Sequence, residues 1–171
     1  GADMNEDQKW AWLAGFMEGE GSFQIVRMKP KIGFVYSAQI VATSCDRILL
    51  ERCKDIAGGW IQGPLGRGNP RHRPAYRWKL SGKPLGGVLE KLLPMLIVKK
   101  RQAEILLDLR REMFIGARKG ECGRQTADQE VRDRRLAMKN EINCLNLRGR
   151  KMPAYEKLSR ERTAQQGLVL T

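Results

Sequence analysis

Apolar residues along this chain change their period several times, and each change marks an element. Trp10, Trp12, Leu13, Ala14, Phe16 and Met17 crowd one short run, and Asn5 or Asp7 is placed to cap a helix at its start. Within that run Ala11, Gly15 and Gly19 recur every four residues and so share one helix face. Residues 22–29 then alternate, as do residues 34–42 beyond the breaker Pro30-Lys31-Ile32-Gly33, which predicts two strands. A helix is expected over 46–56, capped by Thr43 or Ser44, with Ile48, Leu49, Cys53 and Ile56 as its apolar face and Gly58-Gly59 as its stop. Trp60-Ile61-Gln62 opens a third strand and residues 75–80 make a fourth. Between them residues 63–74, rich in Gly, Pro and Arg, read as a long basic hairpin loop. Further helices are expected over 85–93, where Pro94 breaks or kinks the chain, over 98–115, and over 128–147 after a loop.

The order is therefore helix-strand-strand-helix-strand-strand-helix with a helical extension. Two hairpins and no parallel crossover predict an α+β fold, a four-stranded antiparallel sheet with helices on one face and the other face open. Alternation sends Phe23, Ile25, Tyr36, Ala38, Ile40, Tyr76, Trp78 and Leu80 towards the helices. It leaves Gln24, Val26, Met28, Val35, Ser37, Gln39, Val41, Arg77 and Lys79 on the open side.

Charge changes what that open face is for. Lys and Arg number 32 against 19 Asp and Glu, a formal net charge of +13, spread from Lys9 to Arg162. Such a balance calls for a polyanion, with nucleic acid the first choice. A membrane fits poorly: the longest apolar run, residues 92–98, is interrupted by Pro94 and falls far short of the roughly 20 residues a span needs. No secretory signal pattern opens the chain, and Gly1-Ala2-Asp3 ahead of Met4 reads as a cloning remnant, so residues 1–4 are taken as tag and start. Four cysteines without C-x-x-C spacing and the single His72 argue against structural zinc. They read as reduced thiols of an intracellular protein, in cytoplasm or organelle, with Cys45 and Cys53 as small buried residues.

The segment Leu13-Ala14-Gly15-Phe16-Met17-Glu18-Gly19-Glu20-Gly21 carries the candidate chemistry. Each glycine inside a helix costs about 1 kcal/mol relative to alanine. A helix keeps several of them where another backbone must come close. Glu20 falls where the helix ends, and there the macrodipole disfavours a carboxylate by roughly 0.3 kcal/mol or more. A carboxylate kept at that cost suits a divalent cation.

This segment resembles the LAGLIDADG motif of a family of homing endonucleases. It matches at Leu13, Ala14, Gly15, Gly19 and Gly21, with Glu18 and Glu20 in the two acidic places. The resemblance covers roughly residues 9–109 and implies an endonuclease core over 5–115, its saddle-shaped sheet laid on double-stranded DNA, followed by a basic helical extension over 116–171. One motif per chain implies a homodimer, with Ala11, Trp12, Gly15, Phe16 and Gly19 at the helix contact. The resemblance further implies Mg²⁺ held by Glu20 and the Gly19 carbonyl, with Mn²⁺ or Ca²⁺ able to substitute in binding, and Lys99 as a catalytic cation. Glu18 is expected to be solvated or to bridge the dimer. The family often carries a polar residue late in the second strand, near the nucleophilic water. Here Ala42 takes that place, with Thr43 and Asp46 beside it, so the residue that positions the water is not identified.

Expected DNA contacts on the sheet and its loops are Gln24, Met28, Ser37, Gln39, Gln62, Arg67, Arg71, Arg73, Arg77, Lys79 and Lys100. Gln and Arg are the side chains able to bond adenine and guanine bidentately in the major groove. In the extension, Arg132, Arg135 and Lys139 are expected to hold phosphates. The implied activity is a double-strand break in a long pseudo-palindromic site by metal-dependent phosphodiester hydrolysis. The alternatives are an intron RNA maturase, with RNA as partner, and a non-catalytic DNA-binding regulator on the same scaffold.

Overall fold

Asn5 opens the first helix with a reciprocal cap. Its side chain accepts from the Gln8 amide at 2.8 Å, and the Gln8 side chain accepts from the Asn5 amide at 3.0 Å. A computed structural model of the chain describes residues 3–28, 35–65, 73–115 and 129–147. Over these residues the order is α1 (Glu6–Glu20), β1 (Gly21–Met28), β2 (Val35–Ser44), α2 (Arg47–Ala57), β3 (Trp60–Leu65) and β4 (Ala75–Ser81). Then come α3 (Pro84–Leu92), one 3₁₀ turn (Leu93–Met95), α4 (Lys100–Ile115) and α5 (Gln129–Asn146). The expected α+β architecture is present, and among the described residues no helix is long and apolar enough to cross a membrane.

The four strands form one antiparallel sheet in the order β1-β2-β4-β3, so the two hairpins meet through β2 and β4. One face buries Phe23, Ile25, Tyr36, Ala38, Ile40, Trp78 and Leu80 against Leu13 and Met17 of α1, Leu50 and Cys53 of α2, and the apolar stripes of α3 and α4. Each large side chain buried this way contributes roughly 1.5–3 kcal/mol. Trp78, fully buried, donates its indole N–H to the Gly58 carbonyl at 2.8 Å, so its one polar atom is satisfied. Gly59 beside it has φ +88°, and a Cβ there would strike the Lys79 carbonyl.

Three local expectations differ. In α2 the buried face is Leu50, Cys53 and Ala57, while Ile48 is 72% exposed, and the N-cap is Asp46. Residues 49/53/56 and 50/53/57 satisfy helical spacing equally, and docking on the sheet selects the second set. Cys45 precedes that helix and is exposed, whereas Cys53 is buried and its thiol is pushed up to about 12 by desolvation. Tyr76 is only half-buried, its ring lying under the Arg47 guanidinium.

Helix α5 closes the β1 edge of the sheet. Ile142 is fully buried, and two side chains satisfy carbonyls of β1: Lys139 Nζ donates to Ile25 at 2.9 Å and Asn146 Nδ2 to Phe23 at 2.7 Å. An edge strand without such cover is a template for unwanted pairing. Ion pairs from Arg101 to Glu141 at 2.8 Å and from Arg134 to Glu112 at 2.9 Å tie α5 to α4.

Candidate active site and nucleic-acid interface

The junction of α1 and β1 is tight. A Cβ on Gly21 would collide with the side chain and carbonyl of Met17, so only glycine lets the helix turn directly into the strand. That turn leaves Glu20 exposed at the last helical position, beside a groove of about 440 Å³ on the open face of the sheet. Ser22 and Gln24 of β1, Gln39, Val41, Ala42 and Thr43 of β2, Gln62 of β3, and Arg77 and Lys79 of β4 complete its lining. The strand register explains the grouping. Gln24 stands opposite Gln39, Thr43 and Gln62 flank Arg77, and Val41 and Trp60 flank Lys79.

Within the groove the polar side chains are ordered by one another. Gln39 Nε2 donates to Gln24 Oε1 at 2.9 Å, and Gln24 Nε2 donates to Ser22 Oγ at 3.2 Å. Gln39 is consequently almost buried although it stands on the open face. The Lys79 ammonium sits 5.4 Å from the centre of the Trp60 ring, a cation–π contact that holds it over the floor. Arg77 is exposed and makes no hydrogen bond or ion pair with the described residues.

The sequence-predicted residues divide into groups. Glu20, Gln24, Gln39, Gln62, Arg77 and Lys79 converge on the groove. Ser37 and Met28 lie further along the same hairpin, with Met28 50% exposed at its end, and Lys100 is exposed at the start of α4. Arg73 is held by Asp46 at 2.6 Å, which ties up the carboxylate considered for the water-positioning role. Arg67 and Arg71 lie outside the described residues. In α5 Arg132 is exposed, but two partners expected to hold phosphate are otherwise engaged. Lys139 binds the Ile25 carbonyl, and the Arg135 guanidinium turns inwards to within 3.8 Å of Glu112.

Lys99 stands beside the candidate site, aimed at the end of α1. Its ammonium donates to the carbonyls of Met17 at 2.9 Å and Gly21 at 2.6 Å. Desolvation lowers its pKa from the ordinary 10.5, and the charges of Glu18 and Glu20 oppose the shift. Glu18, expected to be solvated or to bridge the dimer, is half-buried. One of its oxygens accepts the backbone N–H groups of Ile97, Val98 and Lys99. Spacing along the chain carries no signal for this contact, since its partners lie about eighty residues apart. Ser22 was missed, since strand alternation gives faces but not which residues a groove gathers, and Thr43, considered only beside Ala42, lies in the groove lining.

The outward face of α1 is the other notable surface. Leu13, Ala14 and Met17 fill the core, while Ala11, Gly15 and Gly19 are exposed, and a Cβ built on either glycine meets nothing within 4 Å. Trp12 and Phe16 stack at 5.2 Å beside that stripe, with the Arg52 guanidinium 5.4 Å from the Trp12 ring. Nothing inside the described protomer requires those glycines to be small.

No protein-family model matches the sequence, and no curated protein matches it. Solved structures do. The homing endonuclease I-CvuI, in complex with its target in the presence of 2 mM Ca, is similar over 82% of this chain and 83% of its own, with a TM-score of 0.65 at 20% identity. The archaeal intron-encoded homing endonuclease I-Vdi141I, complexed with DNA, is similar over 86% of this chain and 90% of its own, with a TM-score of 0.67 at 22% identity. The LAGLIDADG homing endonuclease I-GzeII, in complex with its DNA target, has a TM-score of 0.55 at 20% identity, and the match covers 80% of this chain but 44% of that one. With the motif at the end of α1 and the sheet it leads into, the fold of this chain is that of the single-motif LAGLIDADG homing endonucleases.

Proposed function

We propose that the chain is a site-specific DNA endonuclease that cuts both strands of a long pseudo-palindromic site as a homodimer, using Mg²⁺ at Glu20. The observation that carries this reading is the place of Glu20. It is an exposed carboxylate at the end of a helix, beside a groove floored by Gln24, Gln39, Gln62, Arg77 and Lys79. A charge of +13 favours a polyanion on that floor, and the similar structures are complexes with DNA. No observation favours the RNA partner of the maturase reading.

The donors fit a hard divalent cation. Glu20 offers a carboxylate, and the Gly19 carbonyl lies in the last helical turn, where carbonyls lack helical partners. Among the described residues no group of three or more His, Cys, Asp or Glu could hold a metal alone. That suits Mg²⁺, which keeps several waters and takes one or two carboxylates together with phosphate oxygens. Bound there, the metal would polarise the scissile phosphate and supply hydroxide near neutral pH. The chain's own residues do the rest. Arg77 and the Gln24–Gln39 pair present donors and acceptors to base edges, Lys79 and Lys100 balance phosphate charge, and Lys99 fixes the end of α1. The exposed Ala11-Gly15-Gly19 stripe supports pairing of two copies through α1, which would bring two Glu20 carboxylates together.

Glu20→Gln tests the reading, because it keeps size and removes charge. The variant should bind a duplex recovered by the wild-type chain from a randomised pool and fail to cleave it. Undiminished cleavage in Mg²⁺ would remove Glu20 from the metal site.

A further inference from the structure

Helix α4 begins at Lys100, and the turn before it is held in an unusual way. Ile97 and Val98 are 85% and 55% exposed, so burial of their side chains does not anchor it. Its backbone is anchored instead. The N–H groups of Ile97, Val98 and Lys99 converge on one oxygen of Glu18 at 2.6, 3.1 and 3.4 Å. Glu18 thus holds the turn that leads into a helix about eighty residues further along the chain, and its negative charge suits the positive end of that helix.

The same turn reaches back. Lys99 Nζ donates to the Met17 and Gly21 carbonyls, which bracket the segment carrying Glu18, Gly19 and Glu20. A cation there adds a donor to the Met17 carbonyl, which also accepts the Gly21 amide, and to the first carbonyl of β1, and it opposes the negative pole of α1. The two charged side chains therefore cross. Glu18 of α1 holds the turn into α4, and Lys99 of that turn reaches the end of α1. Both contacts run through residue 99, whose amide meets Glu18 and whose ammonium meets α1 and β1.

We propose that Glu18 is a positioning residue for Glu20: by clasping residues 97–99 it seats Lys99 against the α1–β1 junction, and Lys99 sets the geometry from which the Glu20 carboxylate and the Gly19 carbonyl face the metal. This rests on the reading of Glu20 as the metal-holding carboxylate. The second acidic place of the motif then holds the ion, and the first holds the frame on which the second is mounted.

The test uses the full chain and a duplex that it recovers from a randomised pool, with Glu18→Ala, Glu18→Gln, Lys99→Met and the double variant Glu18→Ala/Lys99→Met. Two metal midpoints are read beside the duplex Kd. One is the Mn²⁺ concentration that half-broadens the backbone amide signals of Gly19 and Gly21 in the duplex complex. The other is the Mg²⁺ concentration for half-maximal cleavage. Glu18→Ala and Lys99→Met should each raise both midpoints about tenfold, the usual scale for groups that orient a metal ligand, and leave the duplex Kd unchanged. The double variant should be no worse than either single one, since the two residues act as one device. Glu18→Gln keeps an acceptor oxygen and should fall between wild type and Glu18→Ala, and it carries the test if the alanine variant does not fold. Additive effects, or wild-type midpoints in the Glu18 variants, would overturn the positioning role alone. No Mn²⁺ broadening at Gly19 and Gly21 in the wild-type complex would overturn the metal reading of Glu20, and this proposal with it.

Discussion

Gly15 separates what the protomer needs from what a pair of protomers needs. In the protomer a Cβ at Gly15 meets nothing within 4 Å, so Gly15→Ala should stabilise α1 by about 1 kcal/mol through helix propensity alone. Gly15→Val should gain roughly half of that, because a β-branched side chain loses rotamer freedom on a helix. A close helix contact between two copies reverses the sign. Overpacking costs about 1–3 kcal/mol per intrusion, and a symmetric pair carries two intrusions, so Gly15→Val should destabilise the dimer by roughly 2–6 kcal/mol. At about 1.4 kcal/mol per factor of ten, its dissociation constant should rise roughly thirtyfold to twenty-thousandfold. Sedimentation velocity over a concentration series measures the second effect, and urea unfolding of the dilute monomer measures the first. The opposite signs make the experiment decisive. A Gly15→Val chain that stays dimeric at low concentration would refute the interface, and one whose monomer loses helix would show that the glycine serves the protomer's own packing.

Other outcomes follow from the same geometry. Arg77→Ala should relax base preference at one symmetric pair of positions while leaving affinity for scrambled duplexes nearly unchanged; equal loss on both would remove the open sheet face as a reading surface at that residue. Arg132→Ala should flatten the salt dependence of duplex binding by about 0.9 per lost phosphate contact. Arg135→Ala, whose guanidinium turns towards Glu112, should instead lower folding stability by about 1 kcal/mol with the salt slope intact, as thermal unfolding and a salt titration would register. At neutral pH Cys45, exposed, should react with iodoacetamide in the folded chain. Cys53, with its thiol pushed up to about 12, should react only on unfolding, and mass spectrometry of peptides resolves the two.

Much of this fold is legible in the sequence. Strand alternation assigned the buried face of β1 and placed Tyr36, Ala38 and Ile40 of β2 inwards, because a period of two leaves little choice once one face must be apolar, but Gln39 and Val41, expected on the open side of β2, are buried as well. The candidate caps Asn5 and Asp7, the glycine stops and the motif at residues 13–21 marked α1 and its exit into β1, and the net charge of +13 raised the expectation of a polyanion partner. These are local properties, set by backbone sterics, propensity and net charge. Three-dimensional packing decided the rest. In α2 two interleaved apolar sets fit a helix equally, and only the docking surface chose Leu50 over Ile48. Basic residues looked alike along the sequence, yet α5 spends Lys139 on an edge-strand carbonyl and turns Arg135 towards Glu112, while Arg132 stays exposed. Glu18 was expected to be solvated or to bridge a dimer, and Lys99 to serve as a catalytic cation. The fold brings each to backbone groups of the other's neighbourhood, contacts between residues about eighty apart that no local pattern encodes. Spacing along a chain fixes the direction in which a side chain leaves the backbone, and only tertiary contact fixes what waits there.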